Sequence, residues 1–173
     1  MKKVKYSKPK IEIDKKYKGL RYLVLGLLGG WRCGYVKIPA THYLYGKSYS
    51  EQLPITLKQL KNERIGKRGI IPLFCAFRTK PDDRISMDLL FNVHGGITFS
   101  GRLDKKRGWW VGFDCAHAGD AKDISLMDKE NKMLNEKYHL NFAGDVIRTT
   151  GYVERECKNL IDQIIKWFPL TTK

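Results

Sequence analysis

The sequence predicts an α+β fold: a mixed or antiparallel sheet with a C-terminal amphipathic helix packed on it. Three features predict it. Two extended apolar segments, residues 22–28 and 33–38, flank Gly29-Gly30, and paired glycines supply the positive φ angles of a tight two-residue hairpin. Over residues 85–94, Ile85, Met87, Leu89, Phe91 and Val93 alternate with Ser86, Asp88, Leu90 and Asn92, the period of a strand with one apolar face. Near the C-terminus, Val153, Cys157, Leu160, Ile161, Ile164, Ile165 and Phe168 fall at i, i+4, i+7, i+8, i+11, i+12 and i+15, one continuous helical face.

Taken in order, residues 1–10 carry Lys2, Lys3, Lys5, Lys8 and Lys10 without an apolar period. They read as a basic flexible tail, with a strand beginning near Ile11. Residues 11–173 read as a single domain, long enough to bury a core. Hydrophobic content of 42% with 12% aromatics excludes a disordered chain. Residues 39–50 are a loop by composition, in which His42, Tyr45 and Lys47 mix rings with a base, suited to stacking and to neutralising a phosphate. Residues 55–65 read as a short, weakly amphipathic helix ended by the glycines at 66 and 69. Residues 70–77 read as a strand, with Pro72 at its start or on an edge. Residues 109–113 are a strand running into Asp114. Residues 124–138 suit an exposed helix, and 141–145 a polar turn. Thr149 or Thr150 caps the last helix, Glu154 and Glu156 suit its first turn, and Pro169 follows it.

Lys and Arg number 33 against 18 Asp and Glu, a formal net charge of +15. That excess favours an anionic partner such as a nucleotide-like ligand or a nucleic acid. The four cysteines, Cys33, Cys75, Cys115 and Cys157, contain no CxxC pair. This argues against a zinc site of the usual spacing and against a disulfide scaffold, and fits reduced thiols in a cytoplasmic protein. The longest apolar run is too short to span a bilayer. No apolar segment follows Lys2-Lys3, so no targeting segment and no membrane partner are expected. Phosphate-loop, dinucleotide, zinc-protease, nucleophile-elbow and zinc-deaminase signatures are absent, and no cofactor or metal is assigned. Nothing in the sequence assigns an oligomeric state.

The chemistry concentrates in residues 92–120. Asn92 and His94 sit two apart before Gly95-Gly96, and Thr98 and Ser100 alternate on the next segment. Asp114, His117 and Asp120 then follow at three-residue steps after an apolar strand. Three explanations compete. The aspartates orient His117, which acts as a general acid or base. Alternatively Asp114, His117 and Asp120, with His94, bind a divalent metal that activates water. In the third, the aspartates accept backbone N–H bonds in the turn and His117 completes a polar network. A Cys115 nucleophile is disfavoured, because Cys115 and Asp114 point to opposite sides of a strand and Cys115 then faces the core.

Five ordered segments, residues 33–39, 42–47, 93–100, 110–120 and 152–160, resemble an uncharacterised protein family of bacteriophages and prophages. Its members carry a VHGG segment and a GFDCAHAGD segment in the same order. The chain departs from that pattern at Ala40-Thr41, at Leu44 and in a basic insertion at 55–67. The resemblance transfers no established activity, but it implies a phage protein in a host bacterial cytoplasm. In that setting the sequence suggests a pocket protein that binds, and in an enzyme version hydrolyses, a phosphorylated nucleotide-like molecule, countering a host nucleotide-signalling defence. His94, His117, Asp114 and Asp120 are the catalytic candidates. His42, Tyr45, Lys47, Asn92, Thr98, Arg102 and Trp110 are the ligand-binding candidates, with the 42–47 loop closing over a floor built from 92–120. The alternatives are a basic nucleic-acid-binding protein and an inhibitor of a host defence protein.

Overall fold

The computed structural model describes residues 8–60, 79–103 and 107–170. Among the described residues five antiparallel strands form one sheet in the order β1-β2-β3-β5-β4. They are β1 (Lys10–Tyr17), β2 (Leu20–Gly26), β3 (Arg32–Ile38), β4 (Phe99–Gly101) and β5 (Trp109–Asp114). Two short parallel strands, β6 (Asp120–Ala121) and β7 (Val146–Ile147), pair separately. The helices are α1 (Met87–Leu90), α2 (Lys129–Tyr138) and α3 (Thr150–Trp167). The α+β class expected from the sequence is the one the chain forms. Among the described residues no helix is long and apolar enough to cross a membrane.

Strands β1 and β2 join through Lys18 and Gly19, both at positive φ (46° and 83°), the signature of a two-residue turn matched to strand twist. The β2–β3 connection is longer than the expected glycine pair. It runs over five residues, closed by Leu27 N–H donating to Trp31 O at 2.7 Å. Only Gly30 is at positive φ, so one glycine of the pair does the work assigned to both.

Helix α3 packs on β1, β2 and β3 through Val153, Cys157, Leu160, Ile161 and Ile164, all buried. They meet Tyr22, Val24, Val36, Val111 and Phe113 from one face of the sheet. Each such side chain removed from water stabilises by about 1.5–3 kcal/mol. Close approach depends on Gly34, where a Cβ would lie 2.5 Å from the Phe113 ring and 2.7 Å from Cys157 Sγ. The helix starts at Thr149, whose side chain accepts a hydrogen bond from Tyr152 N–H at 3.2 Å, and the apolar stripe read from the sequence is the buried face.

Residues 85–94 correct the sequence reading. They form no strand, but the short helix α1 followed by an extended segment. Ile85, Met87, Leu89, Leu90, Phe91 and Val93 are all buried, so the segment is covered on both sides and the alternation lost its meaning. The expected helix at 55–65 begins as a 3-10 turn, Leu57–Leu60; the remainder, the strand at 70–77 and residues 1–7 lie outside the described residues. Cys33, Cys115 and Cys157 are free and buried.

At the N-terminal end of α3, the buried Arg32 donates to Glu12 at 2.6 Å and to Asp123 at 2.8 Å. It also reaches Arg148 O at 3.2 Å, while Thr150 Oγ1 donates to Glu12. Burial alone would raise the Asp123 carboxyl; hydrogen bonds from Ser125 and Arg32 outweigh it and hold the group below its ordinary value. A folded-state value below the unfolded one means stability that is present above the ordinary carboxylate range and lost as pH falls through the folded value. Arg32→Ala, which strands two largely buried carboxylates, is expected to cost about 3–5 kcal/mol at pH 7. In urea melts the gap from wild type should narrow as pH falls below the ordinary aspartate value of ~3.9 and through the depressed folded-state value of Asp123; a small or pH-independent gap would contradict this assignment.

Candidate functional site

The site begins where residues 92–94 lie along α3. Among the described residues their backbone groups have no strand partner, and side chains of α3 bond several of them instead. Asn92 N–H donates to Gln163 Oε1 at 2.7 Å, and Asn92 O accepts from Gln163 Nε2 and Asn159 Nδ2, both at 2.9 Å. His94 N–H donates to Glu156 Oε2 at 2.9 Å. The polar edge of the helix thus replaces the sheet ladder that buried backbone would otherwise need. Gly95 and Gly96 follow at φ +66° and +90° and turn the chain away.

This path delivers His94 to Asp120. The Asp120 side chain is 1% exposed. Its Oδ2 accepts from His94 Nε2 at 2.8 Å and from His117 N–H at 3.0 Å. Its Oδ1 accepts from Arg148 Nε at 2.6 Å. Burial pushes the carboxyl up, but the bonds from Arg148, His94 and the His117 amide outweigh it and hold it below its ordinary value. An ionised carboxylate only accepts, so His94 carries its proton on Nε2. In the neutral ring its Nδ1 then accepts from the Tyr152 hydroxyl at 3.0 Å. Both ring nitrogens of His94 are therefore committed.

His117 is placed differently. The turn after β5 closes through Asp120 N–H donating to His117 O at 3.0 Å, with Gly119 at φ +86°. The imidazole lies flat against Gly95, where a Cβ would sit 2.1 Å from the ring. It meets His94 edge to face, with centroids 5.5 Å apart. Among the described residues Nδ1 is buried without a hydrogen-bond partner, 3.7 Å from Asp120 Oδ2 and 3.9 Å from Asp114 Oδ1. The side chain as a whole is 32% exposed and forms part of the wall of a cavity of about 480 Å³. Trp31, Lys122 and Phe142 line the same cavity. Lys122 Nζ stands 4.7 Å from the Trp31 ring centroid, and the Lys122 backbone is tied to Asn141 by two hydrogen bonds.

Of the catalytic candidates, His94, His117 and Asp120 come together. Asp114 stands at the rim, accepting from Thr98 Oγ1 at 2.8 Å and Ala116 N–H at 3.1 Å, a turn-building role shared with Thr98. Asn92 enters through its backbone alone. The proposed lid does not close over this site. His42 accepts from Leu44 N–H through Nδ1 and donates through Nε2 to Phe168 O at 2.9 Å. That is the far end of α3, about 24 Å along the helix from Tyr152 at 1.5 Å per residue. Tyr45 packs near Trp109, and Lys47 pairs with Glu51 and lies over Tyr43. Trp110 points from the sheet face opposite α3 and is fully buried, so it offers no stacking surface. Arg102 is exposed beyond β4, at the end away from Thr98. Cys115 faces the core as expected, and burial raises its thiol far above the ordinary range, which removes it as a nucleophile.

Sequence reasoning missed Arg148, Tyr152, Trp31, Lys122 and Phe142. Arg148 precedes the Thr149 cap, and Tyr152 and Glu156 sit at i and i+4 on α3, but no local pattern pairs them with His94. Comparison of the chain with protein-family models, curated proteins and solved structures returns no match.

Gly95→Ala tests the packing. It puts a side chain both at positive φ and into the His117 ring, and should cost about 1–3 kcal/mol. In a histidine-resolved NMR spectrum it should move His117 and leave His42 in place. An unchanged His117 signal would refute the contact.

Proposed function

We propose that the protein binds a phosphorylated, nucleotide-like small molecule in the cavity beside His117. The observation that carries this reading is the arrangement around one cavity of an aromatic–cation pair, Trp31 and Lys122, with the His117 imidazole. The volume lies within the range of small-molecule sites. Trp31 and the exposed Phe142 are suited to a base, and Lys122 to a phosphate. This contact set takes the place of Tyr45, Lys47, Arg102 and Trp110, which lie elsewhere or are buried. Capture of a signalling nucleotide in a phage-infected cell is the setting in which such a pocket would act.

The same cavity supports an enzyme version. Neither ring nitrogen of His117 has a hydrogen-bond partner among the described residues, which suits proton transfer to or from a bound phosphodiester. His94 is then a positioning residue, saturated by Asp120 and Tyr152.

Titration with mono-, di- and cyclic nucleotides, followed by chromatography of the recovered ligand, tests both versions. Binding should raise the melting temperature, and Trp31→Ala should weaken it by about tenfold or more, the loss of one stacking contact of ~1–3 kcal/mol. Intact ligand on recovery means capture; converted ligand, with conversion lost in His117→Ala, means catalysis. No binding of any nucleotide would sink the proposal. So would affinity for nucleic acid that falls steeply with salt and survives His117→Ala, the behaviour of a basic nucleic-acid binder.

A further inference from the structure

We infer that His94, His117 and Asp120 form a binding site for a divalent transition-metal ion of the zinc class. The inference concerns the ion alone and does not depend on which ligand the cavity takes.

The donor atoms are two imidazole nitrogens and one carboxylate oxygen, a set suited to zinc and its first-row neighbours. They lie within 4.8 Å of one another. Two of the three sides are 2.8 Å (His94 Nε2 to Asp120 Oδ2) and 3.7 Å (His117 Nδ1 to Asp120 Oδ2). Metal–ligand bonds of about 2.0–2.1 Å in tetrahedral geometry place donor atoms roughly 3.3 Å apart, a value these two sides bracket. An ion would seat between Oδ2 and the two rings after a small rotation of His117 toward Asp120.

Two further observations point to an ion rather than to a plain polar network. Among the described residues His117 Nδ1 is buried without a partner, an arrangement that is costly if nothing satisfies it. The carboxylates nearest to it, at 3.7 and 3.9 Å, are too distant for a hydrogen bond. Second, two of the ligands are held from behind. His94 uses its other nitrogen on the Tyr152 hydroxyl, and Asp120 uses its other oxygen on Arg148. Such outer partners orient ligands at metal sites. On metal binding the His94 proton leaves Nε2 and Nδ1 becomes the donor, so the Tyr152 oxygen changes from donor to acceptor. His117, bound through Nδ1, would present Nε2–H outward.

One carboxylate leaves a divalent ion with excess positive charge, and Arg148 adds to it. The remaining coordination positions would therefore favour hydroxide or an anionic oxygen. Such an ion would supply activated water beside His117.

The test is metal analysis of the full chain purified from zinc-supplemented medium, followed by chelation and titration with Zn²⁺ and Co²⁺. About one zinc per chain is expected, with visible Co²⁺ absorption typical of mixed nitrogen and oxygen ligands. His117→Ala, a partly exposed position, should fold as judged by circular dichroism and lose zinc affinity by at least tenfold. Tyr152→Phe should lose roughly 10–100-fold without unfolding, as outer-partner changes do. His139→Asn, at an exposed histidine outside the cluster, should bind as wild type. Absence of stoichiometric zinc together with no thermal or spectroscopic response to either ion would overturn the inference. So would a folded His117→Ala protein that binds zinc as wild type does.

Discussion

A carboxylate taken out of water must be fully bonded or it will not stay charged, and Asp120 is the point where this chain meets that demand. Its side chain is 1% exposed, and its two oxygens take Arg148, His94 and the His117 amide. Those partners come from three separate parts of the chain: the segment before Gly95, the turn after β5, and the residues that lead into α3. Satisfying one ion therefore fixes the relative position of three elements. It also places a proton on His94 Nε2 and, in the neutral ring, leaves Nδ1 to accept from the Tyr152 hydroxyl.

Helix α3 makes the arrangement possible because it serves two faces. Its apolar stripe packs on the sheet, brought close at Gly34. Its polar edge, through Glu156, Asn159 and Gln163, supplies the hydrogen bonds that residues 92–94 do not receive from a strand. Without that edge, burying Phe91 and Val93 would leave backbone groups unpaired at a cost that apolar burial would not offset. The core and the candidate site are thus linked through one element. The Arg32, Glu12 and Asp123 cluster fastens the same helix at its start, with Arg32 bonded directly to Arg148 O.

The parts legible in the sequence were those governed by local periodicity. The α3 stripe, its Thr149 cap, the strands at β2, β3 and β5, and the concentration of polar residues around His94 and Asp120 all follow from spacing alone. Residues 85–94 misled because alternation predicts a strand only when one face meets solvent; here both faces are buried, and a helix supplies the hydrogen bonds. Trp110 misled for a related reason: an aromatic after a charged turn resembles a stacking platform, yet strand pairing sends it to the other face of the sheet. The loop at 42–47 has site-like composition, but His42 is consumed in bracing the end of α3. Arg148 and Tyr152 were not identified as site residues, because their partners are 28 and 58 residues away and no spacing rule reaches that far.

The claim on which the rest turns is that an ionised, buried Asp120 holds His94 with its proton on Nε2. Long-range nitrogen–proton NMR of the side chains in chelator-treated protein at neutral pH measures this directly. The expected result is a single His94 tautomer protonated at Nε2, with a slowly exchanging proton that disappears in Asp120→Asn. A His94 ring protonated at Nδ1, or averaging rapidly between tautomers as an exposed imidazole does, would contradict it.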